Sequence, residues 1–208
     1  SSGIFATGTS GDVTVIQGGF ISALGNGSHG IFAISGSGAV ALDVSGAVAG
    51  GGGSGEGLFI SAANASTVHI NAGASVGALS DVAIEDSAEK LTVMNNGTVA
   101  GMLQLGGGDD AFANFSPTTW NLRNFADTDG DGARDTEGVA IADFGVGNDT
   151  AINIGTLRLA TVSGATTIDT TGQIAHPAGG NADITQAGVE QGHLTNLELF
   201  INSGAITL

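Results

Sequence analysis

Apolar residues in the first eighty positions fall in short runs, near 3–6, 13–16 and 19–23, and alternate with polar ones, as in Val13-Thr14-Val15 and Val68-His69-Ile70. A period of two puts successive side chains on opposite faces and predicts β-strands. Gly, Asn, Ser and Asp fill the intervals, as in Gly25-Asn26-Gly27-Ser28 and Gly50 to Gly57. Such residues make corners, because a left-handed backbone costs Gly nothing. The pattern also repeats. Gly3-Ile4-Phe5-Ala6 returns as Gly30-Ile31-Phe32-Ala33 and as Gly57-Leu58-Phe59-Ile60, at a spacing of 27 residues. Val13 and Val15 map onto Val40 and Leu42 and then, with one small slip, onto Val68 and Ile70, while Gly19, Gly46 and Gly73 keep the beat.

Three strands and three corners make one unit, and units that stack pair equivalent strands in parallel about 4.8 Å apart. The expected fold is all-β: a right-handed parallel β-helix, a solenoid of three short strands per coil with inserted loops. Phe5, Phe32 and Phe59 are expected to form a ladder of rings inside the cylinder. A β-sandwich is the alternative, since it also shows short strands between turns, but it would not need a 27-residue beat.

Past residue 80 the beat loosens, with further strands read at Val82-Ala83-Ile84, Leu91-Thr92-Val93, Gly97-Thr98-Val99 and Met102 to Leu105. A second repeat then matches Leu105-Gly106-Gly107-Gly108-Asp109-Asp110 with Phe144-Gly145-Val146-Gly147-Asn148-Asp149, at an offset of 39. Polar insertions near 123–138 and 163–194 are read as loops, the second interrupted by Pro177, and strands return at Leu197 to Ile201 and Ala205 to Leu208. The whole of 1–208 reads as a single solenoid domain. Because Ser stands first and the methionines are Met94 and Met102, an interior piece of a longer precursor is expected.

The run from Trp120-Asn121-Leu122 through the acidic loop to Val139-Ala140-Ile141-Ala142-Asp143-Phe144, and the closing Gly192-His193-Leu194-Thr195-Asn196 to Asn202-Ser203-Gly204-Ala205-Ile206-Thr207-Leu208, resemble autotransporter passenger domains of Gram-negative bacteria. The resemblance covers about the second half of the chain; the first half shares only the β-helical style. It implies export through a C-terminal membrane barrel, absent from this chain, and display at the cell surface or release, commonly as an adhesin.

Composition narrows the chemistry. With 37 Gly among 208 residues, a helical bundle is nearly excluded. Four Lys or Arg against 20 Asp or Glu give a net charge of -16, so nucleic acid and anionic lipid surfaces are repelled. Every apolar run is broken well short of the roughly 20 residues that span a bilayer as a helix, so no direct membrane insertion is expected. No cysteine is present, which removes disulfides, thiolate metal sites and a Cys nucleophile.

Asp127, Asp129, Asp131 and Asp135 stand at positions 1, 3, 5 and 9 of a calcium loop, with Gly132 at position 6. Carboxylates at alternate residues can converge on one hard cation. Position 12 is Gly138, and Glu137 sits one place early. Asp127, Asp129, Asp131, Asp135 and Glu137 are therefore the candidate calcium ligands; the alternative is a solvated acidic bulge. Gly106-x-Gly108-x-Asp110 and Gly145-x-Gly147-x-Asp149 resemble half of the calcium nonapeptide of repeat toxins, yet they are not in tandem, which favours a structural turn. If these corners stack, Asp110 and Asp149 come within about 5 Å, a like-charge contact that a divalent cation would relieve.

Catalysis is not expected. A polysaccharide lyase needs a basic residue, and Lys90, Arg123, Arg134 and Arg158 are scattered among acids; a glycosidase generally presents aromatic sugar platforms, and Trp120 is the sole such residue. His29, His69, His176 and His193 have no short metal-binding spacing and read as surface residues, with His69 pointing outward. Gly53-Ser54-Gly55-Glu56-Gly57 falls in a corner rather than a nucleophile elbow. The expected role is a non-catalytic stalk or adhesin segment, at the cell surface or secreted. Its loops would contact a ligand on a host, a matrix or a neighbouring cell. The competing reading is a self-assembling extracellular structural protein joined through end coils; a lyase or glycosidase ranks third.

Overall fold

In the computed structural model, the described residues are 1–132, 134, 136–159, 161–162, 187–188 and 192–207. Among them the chain is all-β: parallel strands gather in two large sheets, neither closes into a barrel, and no helix forms. Strands form where the alternation places them, at Ser2–Gly8, Val13–Gln17 and Phe20–Ser22, then His29–Ser35, Val40–Val44 and Ala47–Gly50. Each pairs with its equivalent in the next repeat, as in Ile4↔Ile31, Val15↔Leu42 and Ile21↔Val48. The backbone groups of these short strands are satisfied by the next repeat.

The register persists through the chain. One row runs Ile31, Leu58, Ile84, Leu103, and a second runs Val48, Val76, Val99, Trp120, Leu157, Ile206. Both belong to the 12-stranded sheet, because the strands Ser75–Asp86 and Thr98–Gln104 continue past the corner that separates the rows in earlier repeats, with register shifts between Ala100 and Leu103. The seven-stranded sheet carries Val15, Leu42, Val68, Val93, Phe112, Ala151 and Phe200 in one row. These rows supply the core, with Ile31, Leu58, Ile84, Leu103, Val68, Val93 and Val99 wholly buried.

Four details differ from expectation. Phe5, Phe32 and Phe59 do stack, with centroids 5.2 and 4.7 Å apart and planes 5° and 8° from parallel, but on the outer face. Phe5 is 67% exposed, whereas Ile31, Ala33, Leu58 and Ile60 on either side of the next rings are wholly buried. A strand that sends both flanking residues inward must send the middle one outward. The slip at the third repeat also runs the other way: Leu42 meets Val68 and Val44 meets Ile70. A shift of two residues keeps every side chain on its face, so apolar matching alone cannot detect it. Gly46 stacks on Gly19, but the next member of that column is Ala74, since Ala47 pairs with Ser75. The second inserted stretch ends earlier than expected, because Gly192–Thr195 is a strand paired with Ala140–Asp143. Thr161–Val162 pairs antiparallel with Ala187–Gly188; residues 163–186 and 189–191, Pro177 and His176 included, lie outside the described residues.

One interior column changes chemistry along its length. Gln17, Val44 and Ile70 are followed by Asn95, Asn114, Asn153 and Asn202. Each amide Nδ2 donates to the next Oδ1, at 2.8, 2.8 and 2.7 Å. Asn114 also donates to Thr156 O at 3.1 Å and accepts from Thr118 Oγ1 at 2.9 Å. Asn95, Asn114 and Asn153 sit in the core without an unpaired group because each amide is answered by the next, and the exposed Asn202 ends the ladder. Asn114→Ala breaks the ladder on both sides, and chemical denaturation is expected to show a loss of about 2–4 kcal/mol. Phe5→Ala, on the outer face, should change stability by under about 1 kcal/mol. Equal losses would contradict this division of interior and surface.

Candidate functional site

The first insertion leaves the strand Thr119–Leu122 and returns through the antiparallel pair Phe125–Ala126 and Thr136–Glu137, with the acidic loop at its tip. The loop lies against the side of the sheets instead of bulging away. Asp127 N–H donates to Leu79 O at 2.8 Å, and Gly53 N–H donates to Asp127 O at 3.0 Å. Asp127 is wholly buried, while Asp129 and Asp131 are exposed. Asp127 accepts the Gly130 N–H on Oδ1 at 2.7 Å and the Gly132 N–H on Oδ2 at 2.9 Å. Gly130 and Gly132 have φ of 81° and 99°, a left-handed backbone that curls the loop around the carboxylate.

Carboxylate oxygens of Asp127, Asp129 and Asp131 lie within 4.8 Å of one another. Three of the five predicted ligands therefore converge, and hard oxygens at this spacing suit calcium. Asp135 lies outside the described residues, and Glu137 is placed by its backbone alone, opposite Phe125.

Alternation did not single out Asp81, which anchors the loop. Asp81 is wholly buried, with φ of 55°. Its Oδ1 accepts from Arg123 Nη2 at 3.1 Å and Arg134 Nη2 at 3.2 Å, and its Oδ2 accepts the Phe125 N–H at 2.6 Å. Arg134 also donates to Ala78 O at 2.7 Å, and the Arg123 guanidinium lies 5.6 Å from the Phe125 ring centroid. Burial pushes the Asp81 carboxyl up, against the pull of both guanidiniums.

Trp120 is not a sugar platform. It is 1% exposed, donates Nε1–H to Gly101 O at 3.2 Å and packs on Phe112 at 4.7 Å. His69 is exposed, as expected. His29 is not an ordinary surface residue: Nδ1 contacts Glu56 Oε2, and its ring lies 4.9 and 5.7 Å from those of Phe32 and Phe59. An open cleft of about 490 Å³ lies where Ala140–Asp143 joins Thr98–Gln104 at the single pair Gln104↔Asp143; Glu85, Gln104, Asn124, Ile141 and Asp143 line it.

No protein-family model, no curated protein and no solved structure matches the chain.

Several interior acids bind protons unusually tightly. Burial, with Glu85 facing it, pushes Glu56 up to about 8. Burial and neighbouring Asp110 push Asp86 to about 7, and burial and Asp149 push Asp110 to about 6. Burial holds His29 below its ordinary value. Acids raised in the folded state stabilise it most when both states are protonated, and that advantage fades as pH rises through the folded values. In chelator, Tm is expected to fall across the window from about pH 4 to about pH 8, and Asp86→Asn to make the fall shallower. A Tm that rises over that window would contradict the assignment.

Proposed function

We propose that this chain is a non-catalytic segment of a cell-surface or secreted protein, a stalk that also presents an adhesive surface, as in autotransporter passenger domains. In this reading it winds as a right-handed parallel β-helix of three short strands per coil, two of them fused where Ser75–Asp86 and Thr98–Gln104 run through a corner. The carrying observation is the parallel register kept across all seven strands of the second sheet. Such stacking lets length grow without enlarging the core, and insertions can be carried between levels. The open cleft beside Asn124 and Val139 offers the contact surface. Its partner is a ligand on a host, a matrix or a neighbouring cell.

Calcium held by Asp127, Asp129 and Asp131, with Asp135 and Glu137 as further ligands, belongs to the same reading. It would neutralise the acidic loop that Asp81 ties to the sheets. A lyase is disfavoured by the commitment of Arg123 and Arg134 to Asp81, and a glycosidase by the interior position of Trp120. The competing reading, self-assembly through end strands, draws on the exposure of Phe20 at 74% and Ile16 at 78% near one end and Ile201 at 45% near the other.

Purified protein is expected to bind whole cells or immobilised matrix saturably, to remain monomeric in sedimentation at rising concentration, and to leave a panel of acidic glycans uncut. Glycan turnover would sink the non-catalytic reading, and concentration-dependent filaments without surface binding would favour assembly. Calorimetric titration with calcium is expected to show a site that weakens at least tenfold in the double variant Asp129→Asn with Asp131→Asn, since two carboxylate ligands are lost.

A further inference from the structure

A second set of acids lies in the interior, apart from the acidic loop. Asp110 and Asp149 occupy equivalent corners, set one above the other by the pair Ala111↔Thr150 and the bridge Gly107↔Val146. Each is 1% exposed. One oxygen of each carboxylate has a partner: Asp110 Oδ1 accepts the Leu91 N–H at 2.6 Å, and Asp149 Oδ1 accepts the Asp110 N–H at 2.7 Å. The other oxygen, Oδ2, is buried on both without a hydrogen-bond partner. The same holds for Asp86 Oδ2, on a residue 4% exposed whose carbonyl lies against Gly106.

An ionised carboxylate oxygen buried and unanswered is strongly unfavourable, and native proteins resolve it with a proton, a donor or an ion. The charges around this pair are one-sided. Asp109 acts on both, Asp86 lies next to Asp110, and Glu198 Oε2 accepts the Asp149 N–H at 2.7 Å; Lys90 is the cation acting on Asp110. Such an excess of negative charge calls for a divalent ion over a monovalent one. Glycine at these corners lets successive levels approach closely, since a Cβ on Gly108 would stand 1.4 Å from Glu89 O and one on Gly147 would stand 1.7 Å from Gly108 O.

We infer that the stacked corners of Asp110 and Asp149 bind a calcium-type divalent cation, with the two unpartnered carboxylate oxygens as ligands. Both donors are hard carboxylate oxygens, and calcium accepts an irregular shell that magnesium resists. The ion would join successive levels of the sheets at a point distinct from the acidic loop. Its competitor is a proton, which would leave the same oxygens satisfied as carboxylic acids.

The test uses the full chain carrying Asp129→Asn and Asp131→Asn, so that the acidic loop has lost two ligands. After chelation, calorimetry at neutral pH is expected to show a calcium site, and Tm to rise by roughly 5–10 °C at a hundred times its dissociation constant. Adding Asp149→Asn, or separately Asp110→Asn, should abolish both signals while the protein stays folded, because asparagine keeps the Oδ1 acceptor. If the loop variant shows no calcium heat and no Tm rise, the corner site is refuted and a wild-type response belongs to the loop alone. If wild type and loop variant titrate alike, the loop reading falls and the corner site stands. A Tm rise from Asp149→Asn in chelator, with no calcium effect before it, would assign the oxygens to protons and overturn the proposal.

Discussion

The parallel register between successive repeats is the constraint on which the other features rest. Most strands here are three to seven residues long, too short to be stable except as members of a larger sheet. Their N–H and C=O groups are answered by the equivalent strand of the next level, and that pairing fixes which side chains share a column. Like then meets like: valine on leucine, phenylalanine on phenylalanine, asparagine on asparagine. Apolar columns gain from this arrangement, and amide columns gain when each donor finds the next acceptor, as from Asn95 to Asn202. Carboxylate columns do not, because two acceptors of like charge face each other.

That asymmetry accounts for the polar interior. At one corner column the side chains are amides, which carry both a donor and an acceptor and close the chain of hydrogen bonds. At another they are Asp110 and Asp149, which accept backbone N–H groups from neighbouring levels and still leave oxygens over. A carboxylate can replace a corner amide only if something else supplies positive charge or a proton. The raised affinity of Asp86 and Asp110 for protons and the case for a cation are two expressions of the same shortage.

The strands and the repeats were legible in the sequence because they depend on local alternation and on a fixed beat, as at Val13-Thr14-Val15 and in the match of Leu105 to Asp110 with Phe144 to Asp149. The facing of Phe5, Phe32 and Phe59 was not, since a large aromatic residue suggests an interior until its neighbours Ile31 and Leu58 are seen to fill it. The two-residue slip at Val68 was hidden by the parity of strands. In the acidic loop, the convergence of Asp127, Asp129 and Asp131 followed from their spacing. Asp81 did not, because its partners Arg123 and Arg134 are 42 and 53 residues away, and no periodic pattern links residues that meet only across an insertion.

Insertions also bear on how the stack stays in register. An added stretch between two paired strands lengthens one level without changing its neighbours, provided its ends return to the same edge. The offset between paired asparagines goes from 19 to 39 to 49, yet the amide spacing stays near 2.8 Å. What holds the first insertion is its anchoring to earlier levels through Leu79, Gly53 and Asp81. Asp81 can do this because it stands where Ser75–Asp86 bends through a corner with a left-handed backbone, which lets its buried carboxyl meet both guanidiniums. The added chain is thereby tied across several repeats, so an excursion that could have weakened the stack fastens its side.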